Sequence, residues 1–273
     1  VIGKGSAVGT TPAIVIDENL NVGIGTSSPN ATLTLSDGTD EFDFAVSTNQ
    51  LAIKTVTSDG SDDQRIFIDS GSGGGSSTRG SYIILNGNET SSYSGQILYQ
   101  TGNASGHAHI FSIGGAAEAM KVDSIGAVTK PLQPAFSAKM SAALTNVSNT
   151  AYTTVTFNTE IFDQNADFST STYKFTAPVT GRYQFNVALR LEELDNTADY
   201  SQVKLVTSNR SYEVFLLDTS DFAADLNYHT ASSSFLVDMD ANDDAYVQIR
   251  TSGGGTKTDV EPTTSHFSGF LAC

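Results

Sequence analysis

Tryptophan is absent from this chain of 273 residues, and its single cysteine is Cys273, the last residue. One cysteine allows no disulfide within the chain, which excludes a small secreted module held together by disulfides. No apolar run approaches the roughly 18 residues that a membrane-spanning helix needs, so we expect no membrane insertion. The sequence shows no signal peptide, and because it begins at Val1 it leaves open whether further residues precede it.

Basic residues are also scarce, since 14 Lys and Arg stand against 30 Asp and Glu, which gives a net charge of −16 at pH 7. The excess of acid is spread along the chain, with −7 through Lys130 and −9 after it. Such a surface repels nucleic acids and anionic membranes. We therefore expect no nucleic acid among the partners, and solubility is the plainer explanation of the charge.

Proline is scarce too, with six in the chain, and two of them, Pro131 and Pro134, lie close together. Neither can donate a hydrogen bond to a strand ladder, so we predict an extended linker at this point. The linker divides the chain into a region 1–130, rich in Gly, Ser and Thr, and a region 131–273, in which Tyr and Phe cluster.

Short stretches rich in Val, Ile, Thr, Phe and Tyr recur in both regions, and Gly, Ser, Asn and Asp separate them. This pattern favours an all-β protein with many turns. Helical periodicity is weak, and the two candidate helices are Ala116–Lys121 and Thr219–Asn227.

The region 1–130 has too few large apolar residues to build a conventional core alone. Its strands can bury their apolar faces against neighbours along the chain or across a symmetry axis. We therefore expect an elongated β-rich stalk or anchoring region, which is most easily stabilised as an intertwined homotrimer. The glycine-rich residues Ser70–Gly80 predict a flexible loop. The predicted strands are Thr32–Leu35, Phe42–Val46, Leu51–Val56, Arg65–Ile68, Tyr82–Leu85, Gln96–Tyr99 and His109–Ile113.

A short internal repeat occurs within this region. Ile16–Val22 resembles Val122–Val128, because each has an apolar residue, an aspartate, a turn and a returning valine. That order is typical of a β-hairpin. Two copies are a weak repeat signal.

The region 131–273 has strands at the spacing of a jelly roll. Tyr183, Phe185, Val187 and Leu189 alternate with other residues, which predicts that they face the core. The predicted strands are Phe136–Met140, Thr153–Phe157, Tyr173–Thr176, Arg182–Leu191, Ser201–Val206, Tyr212–Leu217, Ser232–Val237, Ala245–Arg250 and His266–Leu271.

Two stretches of the region 1–130 resemble phage proteins. Asn21–Pro29 is similar to the N-V-G-I-G-T-x-x-P signature of phage tail-fibre and related host-attachment proteins. Ala119–Gly126 resembles the M-R-I-D-S-x-G segment that usually accompanies it, with Lys121 in place of Arg. The resemblance implies a location on the virion, with other virion proteins as partners of the N-terminal region.

The C-terminal region resembles the C1q/tumour-necrosis-factor-like jelly roll. Pro134–Ala138 is similar to its opening strand, and Tyr173–Phe185 is similar to its F-x-x-P-x-x-G-x-Y-x-F core motif. Ala245–Ile249 and Phe267–Leu271 match the two closing strands. The resemblance covers nearly all of residues 134–273, and it implies a homotrimer with binding surfaces on its outer flank or apex.

Motifs of an active site are missing from the sequence, which has no G-x-S-x-G elbow, no H-E-x-x-H and no complete phosphate-binding loop. We therefore expect no enzyme activity, no catalytic residue and no cofactor.

His107 and His109 are the sharpest local feature, because residues i and i+2 of a strand face the same side. In a parallel trimer three such pairs could bind a transition metal on the axis, as in certain phage fibres that the chain resembles. Two ordinary histidines before a strand are the commoner explanation, because an imidazole site for a metal needs a specific shared geometry.

Acidic loops are the second candidate for a metal. Asp238–Asp244 offers oxygen ligands for Ca²⁺, which C1q-like trimers often bind near the apex, but it lacks the glycine and closing Glu of an EF-hand. Glu192–Asp195 is a second acidic loop, and a solvated turn is the commoner explanation for both. Asn209–Ser211 and Ser252–Lys257 are candidate loop tips for binding a partner.

We therefore expect a virion structural protein, a phage tail fibre or receptor-binding protein. Its trimeric C1q-like head would bind a host-surface glycan or protein through three weak sites that gain strength by avidity. The alternatives are a head fibre or capsid decoration protein, a secreted bacterial adhesin, and a carbohydrate-active enzyme carried on a fibre.

Overall fold

The computed structural model of the chain consists of strands and the turns between them. The residues that it describes are 13–47, 49–57, 59–71, 78, 80–115 and 117–273. Among them every regular element is a β-strand, which confirms the prediction of an all-β protein. None of these residues forms a helix long and apolar enough to cross a membrane.

The chain forms two compact units. The first ends at His109 and also takes in Asp123–Gly126, and the second comprises Ile110–Val122 and Ala127–Cys273. The predicted loop Ser70–Gly80 lies largely outside the described residues.

Two small sheets make up most of the first unit. The first sheet comprises β1 (Ile14–Ile16), β2 (Val22–Ile24), β3 (Leu33–Ser36), β4 (Glu41–Ser47) and β5 (Gln50–Thr55) in that order, with β2 and β3 parallel. The second sheet comprises β6 (Arg65–Asp69), β7 (Tyr82–Asn86) and β8 (Ile97–Gln100), all antiparallel.

A third sheet follows along the chain and includes one of the two candidate helices. It comprises β9 (His109–Ile113), β10 (Ala117–Val122) and β11 (Val128–Thr129), with β10 in the middle. The prediction of a helix over Ala116–Lys121 is therefore wrong, although Ala116 itself lies outside the described residues. Pairing on both edges overrides the weak helical propensity of so short a segment.

The internal repeat is a pair of similar hairpins. Asp17 follows β1 and Asp123 follows β10, and the Oδ1 atom of each accepts the backbone N–H two residues later. The distances are 2.9 Å to Asn19 and 3.0 Å to Ile125. This side-chain bond fixes the turn after each strand, so the aspartate is the residue that makes the repeat a hairpin.

The described part of the first unit buries little apolar surface. Its buried apolar residues are Ala31, Tyr82 and Ile84. The large apolar side chains that stay exposed are Ile16, Leu20, Ile24, Val46, Leu51, Ile53, Phe67, Ile68, Leu85, Tyr93, Ile97 and Tyr99. These sheets have no core of ordinary size within one chain, as the sequence indicated.

Two larger sheets form a jelly-roll sandwich in the second unit. The β17 sheet comprises, in order, β14 (Thr159–Asp163), β12 (Ala135–Lys139), β22 (Asp259–Leu271), β17 (Gly181–Leu194) and β20 (Leu226–Met239). The β21 sheet comprises β15 (Phe168–Ser169), β16 (Lys174–Thr176), β21 (Asp244–Gly253), β18 (Ala198–Thr207) and β19 (Ser211–Leu217), with β13 (Thr153–Thr154) also paired to β21.

Each strand predicted for this region is confirmed, although β18, β20 and β22 are longer than predicted. The strand predicted over Thr153–Phe157 is shortened to β13, and β14 and β15 were not predicted. The helix over Thr219–Asn227 is wrong, because the hydroxyl of Thr219 donates to the Ala198 carbonyl at 2.9 Å and polar side chains hold turns there until β20 begins.

The core lies between the two sheets of the sandwich. Tyr183, Phe185, Val187 and Leu189 point into it from β17 and are at most 1% exposed, which confirms the predicted alternation. Val203, Leu205, Val247 and Ile249 face them from the β21 sheet and are fully buried. This alternation also decides which side chains of each strand face outward.

Aromatic rings hold the two sheets together around Phe136. Its ring stacks on those of Phe168 and Phe175, with centroids 4.8 and 5.1 Å apart, and meets the Phe267 ring edge-on at 5.0 Å. Phe136 and Phe267 belong to the β17 sheet, and Phe168 and Phe175 belong to the β21 sheet. Such pairs contribute beyond the apolar area that they bury.

Gly269 is the position where this aromatic packing depends on a missing side chain. A Cβ atom there would lie 2.4 Å from Cδ1 of Phe185 and 3.0 Å from Cε1 of Phe136. We expect Gly269→Ala to lower the free energy of unfolding by about 1–3 kcal/mol, because both rings must shift within a filled core. Chemical denaturation of the purified chain measures this.

Ser268→Ala is the matched control, because Ser268 precedes Gly269 on the same strand and faces outward. We expect it to leave the unfolding free energy within about 0.5 kcal/mol of the unmodified chain. Equal stability of Gly269→Ala and Ser268→Ala would show that the rings do not fill this space.

Candidate functional site

The two histidines lie at the start of β9, but they are not both in the strand. His107 precedes it in a turn, where its backbone N–H and its Nδ1 atom contact the Ala104 carbonyl oxygen at 3.1 and 2.8 Å. His109 is the first residue of β9. The alternation argument therefore applies to His109 alone, and a transition metal bound by both rings stays a prediction.

The carboxylates of Asp238–Asp244 turn to separate partners. Asp238 pairs with Arg210 at 3.1 Å, and Asp244 pairs with Lys174 at 2.9 Å. Asp243 accepts the backbone N–H of Asp240 at 2.9 Å, which closes the turn. Since the ligands of Ca²⁺ must converge, this arrangement offers no ready cage, and Ca²⁺ binding by the loop stays a prediction.

Asp59, Asp62 and Glu89 do converge, which no motif in the sequence indicates. In the described part of the chain they are the one group of three such residues whose ligand atoms lie within 4.8 Å of one another. Glu89 accepts the Asp62 backbone N–H at 3.1 Å, and Asp62 accepts that of Asn88 at 3.0 Å. These bonds tie two loops of the first unit and account for the positions of Asp62 and Glu89, while the Oδ1 atom of Asp62 is buried without a hydrogen-bond partner among the residues described.

Acids also line an open cleft of about 970 Å³ in the first unit, among them Asp37, Asp40, Glu41 and Asp63. A glycosidase needs a carboxyl with a raised pKa beside a second carboxylate. Backbone N–H groups of Asp40 and Thr39 instead lower the pKa of Asp37. Asp37 therefore does not have the raised pKa that the general acid of a glycosidase needs.

Asp167 in the second unit has a raised pKa, caused first by burial and then by the nearby charge of Asp163. Asp163 accepts the backbone N–H groups of Asp167 at 3.2 Å and Phe168 at 2.9 Å. The two carboxyls thus hold a tight turn.

The acidic loop Glu192–Asp195 and the tip Ser252–Lys257 meet at Asp195. Its side chain is fully buried and accepts the backbone N–H groups of Thr197 at 2.9 Å and Gly255 at 2.5 Å. Lys257 lies 3.5 Å away. Burial raises the pKa of Asp195, but these bonds and the lysine charge outweigh it and hold the pKa at about 2. A solvated turn is therefore the wrong explanation for Asp195.

The outward face of the β17 sheet exposes large apolar side chains with small polar and amide residues between them. Leu236 and Phe270 flank Gln184 in register across three strands, and Phe162 lies opposite Ser137 on the edge strand. Leu236 is 60% exposed and Phe270 45%. We call Phe162, Leu236 and Phe270, with the small polar residues between them, the apolar face.

The outward face of the β21 sheet has a different chemistry. Arg250 Cζ lies 5.7 Å from the ring centre of Tyr152 and 6.0 Å from that of Tyr200, and Lys204 Nζ lies 4.6 Å from the Tyr152 ring centre. Gln202 accepts a hydrogen bond from the Tyr152 hydroxyl. We call Tyr152, Tyr200, Gln202, Lys204, Glu213 and Arg250 the Tyr–Arg cluster.

The pairing of the strands assembles this cluster. Gln202 on β18 is in register with Arg250 on β21, and Lys204 is in register with Glu213 on β19. Because alternate residues of a strand share a face, Tyr200, Gln202 and Lys204 of β18 lie on the same outward side. The sequence holds no sign that Tyr152, which precedes the two-residue strand β13, joins them.

Acid titration tests the role of Asp195. Its folded-state pKa is below the ordinary 3.8, so its contribution is complete above about pH 4 and is lost as the pH falls towards 2. We expect the chain to lose about 2 kcal/mol of unfolding free energy over this interval through Asp195. We expect Asp195→Asn to be less stable at pH 7 and to lack this component, as followed by denaturant unfolding at each pH.

Asp221→Asn serves as the control, because Asp221 is exposed in a turn and accepts no hydrogen bond among the described residues. It should reproduce the acid response of the unmodified chain. An Asp195→Asn variant with the same response would contradict the buried-carboxylate account.

Comparison with known proteins places the sandwich in a family. A family model described as the C1q domain matches residues 135–272, slightly more than half of the chain. The resemblance of the C-terminal region to C1q is thereby confirmed, and that of the N-terminal region to phage fibres stays a prediction. A search of curated proteins found no match.

Several solved structures are similar to the chain. The globular domain of zebrafish complement 1qA protein aligns with a TM-score of 0.36 and 23% identity, over 52% of this chain and 98% of that one. A crystal structure of murine APRIL aligns with a TM-score of 0.37 and 11% identity, over 51% and 98%. The Eiger TNF of S. frugiperda aligns with a TM-score of 0.35 and 14% identity, over 52% and 92%. On the match of the family model to residues 135–272, the chain belongs to the C1q domain family.

Proposed function

We propose that this protein is a non-catalytic attachment subunit of a virion fibre, which assembles as a homotrimer and binds a host surface through its C1q-like head. The observation that carries the proposal is the amount of apolar surface that one chain leaves uncovered. That surface occurs in both units, and each needs a separate argument.

The apolar face supports association of the heads. Monomeric proteins rarely expose contiguous apolar patches, and such patches mark interaction sites. The residues between Leu236, Phe270 and Phe162 are small or amide side chains, such as Ser137 and Asn186, which let a partner approach closely. A second and third copy of the same face, related by a threefold axis, would cover it.

The sheets of the first unit support an assembled stalk. With Ala31, Tyr82 and Ile84 as its buried apolar residues, the described part cannot balance the entropy of ordering so many strands. Identical chains side by side would cover the exposed isoleucines and leucines and pair the free edges of these sheets. A thin trimeric stalk is therefore the state in which this sequence is stable.

The phage-like signature has a structural role that fits a stalk. Gly25, after β2, has a positive φ of 79°, and a Cβ there would lie 1.9 Å from the Ser36 carbonyl oxygen. A Cβ at Gly23 would lie 2.7 Å from the Thr26 carbonyl oxygen. Gly25 thus permits the close parallel pairing of β2 with β3, and Gly23 permits the tight turn that follows β2.

Solution mass tests the trimer. Native mass spectrometry is expected to give three times the chain mass of 28.7 kDa. We expect Leu236→Asp to shift the mass towards the single chain, because three carboxylates would be buried together on the apolar face.

Leu216→Asp is the matched control. Leu216 is 52% exposed, close to the 60% of Leu236, but it lies on the β21 sheet, away from the apolar face. It should remain a trimer. An unmodified chain that has a mass of 28.7 kDa at micromolar concentration would contradict the proposal.

Antibody labelling of virus particles purified from the source of the protein tests its location. We expect the label at the ends of tail fibres, because the head is the part that contacts the host. Label over the capsid would instead support a head fibre or decoration protein. Label on bacterial surfaces with none on particles would support a secreted adhesin, and either result would overturn the tail-fibre proposal.

A further inference from the structure

Two cations of the Tyr–Arg cluster form no ion pair within the described part of the chain, although the Glu213 carboxylate lies in the cluster opposite Lys204. In the described second unit Lys174, Arg190, Arg210 and Lys257 form ion pairs, whereas other cations, such as Lys139 and Arg182, form none. Among the described residues, Arg250 and Lys204 form none, and the Nε atom of Arg250 is buried without any hydrogen-bond partner. Buried donors are almost always satisfied, so an unsatisfied one needs an explanation.

These two cations differ from the other unpaired cations of the second unit in lying over tyrosine rings. The chain has a net charge of −16, so acidic partners for two free cations are abundant along the sequence. The two cations instead lie over the ring of Tyr152, and Arg250 also lies near Tyr200. Aromatic faces hold cations in place while leaving their N–H groups available to a ligand.

The cations indicate a ligand with a carboxylate. The guanidinium of Arg250 offers a planar fork of donors that matches a carboxylate, and the Lys204 ammonium adds a second charge beside it. A polyanion such as nucleic acid would be repelled by the acidic surface around the cluster. A single negative charge on an otherwise neutral molecule fits both constraints.

The remaining groups of the cluster indicate a sugar. Glu213 accepts from the Gln202 amide at 2.7 Å and has oxygens that can accept from hydroxyl groups. The tyrosine rings give apolar surface on which the C–H face of a pyranose can pack. Hydroxyl acceptors, apolar rings and a carboxylate site side by side match a sugar acid.

We propose that the Tyr–Arg cluster binds a sugar that has a carboxylate, either a uronic acid or a sialic acid, on the host surface. The inference rests on the proposed attachment function, since it identifies the ligand class of that same head. Arg250 and Lys204 hold the carboxylate, Glu213 accepts from hydroxyls, and the tyrosines pack on the ring, while the buried Gln202 holds Tyr152 and Glu213 in place. In a trimer three such sites face outward, and avidity strengthens a weak single contact.

Sugar titration of the full-length chain tests the site. The probes are methyl β-D-glucuronide, methyl α-N-acetylneuraminide and, as the uncharged match of the first, methyl β-D-glucoside. We expect one of the two sugar acids to bind and the glucoside to bind more weakly than that acid. Added salt should weaken the binding of the acid. The acid that binds identifies the source of the carboxylate.

Arg250→Gln removes the fork while breaking no hydrogen bond within the chain. We expect it to weaken binding of the acid by about tenfold or more, which is the effect of losing one charged hydrogen bond. Lys204→Gln gives a second test by a separate residue. Lys139→Gln is the control, because it removes the same charge from an exposed residue on the other sheet of the sandwich, and it should bind as the unmodified chain does.

Either of two results would contradict the assignment of the Tyr–Arg cluster as a site for a sugar acid. One is that both acids bind no better than the glucoside. The other is that Arg250→Gln and Lys204→Gln, with unchanged mass and melting temperature, bind the acid as tightly as the unmodified chain.

Adsorption to host cells separates this inference from the function on which it rests. If the unmodified protein and Arg250→Gln adsorb equally well, the attachment function stands and the site is wrong. If the unmodified protein adsorbs to no cells, the attachment function is wrong, and the sugar titration still decides whether the site binds a sugar acid.

Discussion

Aromatic packing between the two sheets of the sandwich is the interaction on which the other features depend. The rings around Phe136 set the spacing of the sheets, and Gly269 lets the β22 backbone approach the Phe185 ring. Once the inward side chains are fixed in this way, strict alternation decides what every strand presents on its other side. The packing of the core thus determines that the apolar face lies on the outer side of the β17 sheet and the Tyr–Arg cluster on the outer side of the β21 sheet.

The outward faces of the two sheets differ in the chemistry of their exposed side chains. The β17 sheet presents Leu236 and Phe270, whose apolar side chains stay exposed in one chain. Exposure of apolar surface to water is unfavourable. The β21 sheet presents tyrosines and unpaired cations, which suit a polar ligand. A C1q-like head that buries one face in assembly and keeps the other free is consistent with both observations.

Much of the sandwich could be predicted from the sequence, because strands of the core alternate strongly, as Tyr183 to Leu189 do. The exposed edge strand β14 and the two-residue β15 could not, since they have no such alternation. Asp195 was misread as solvated, because its donors come from Gly255, 60 residues away along the chain. The Tyr–Arg cluster was missed for the same reason, since Tyr152 joins it through tertiary packing.

The central claim is that identical chains cover the apolar face. Hydroxyl-radical footprinting of the full-length protein in solution tests it residue by residue. The account predicts strong protection of Leu236 and Phe270, while Leu216, of similar exposure in one chain, stays reactive. Equal reactivity of Leu236 and Leu216 would contradict it, because the apolar face would then be in contact with water.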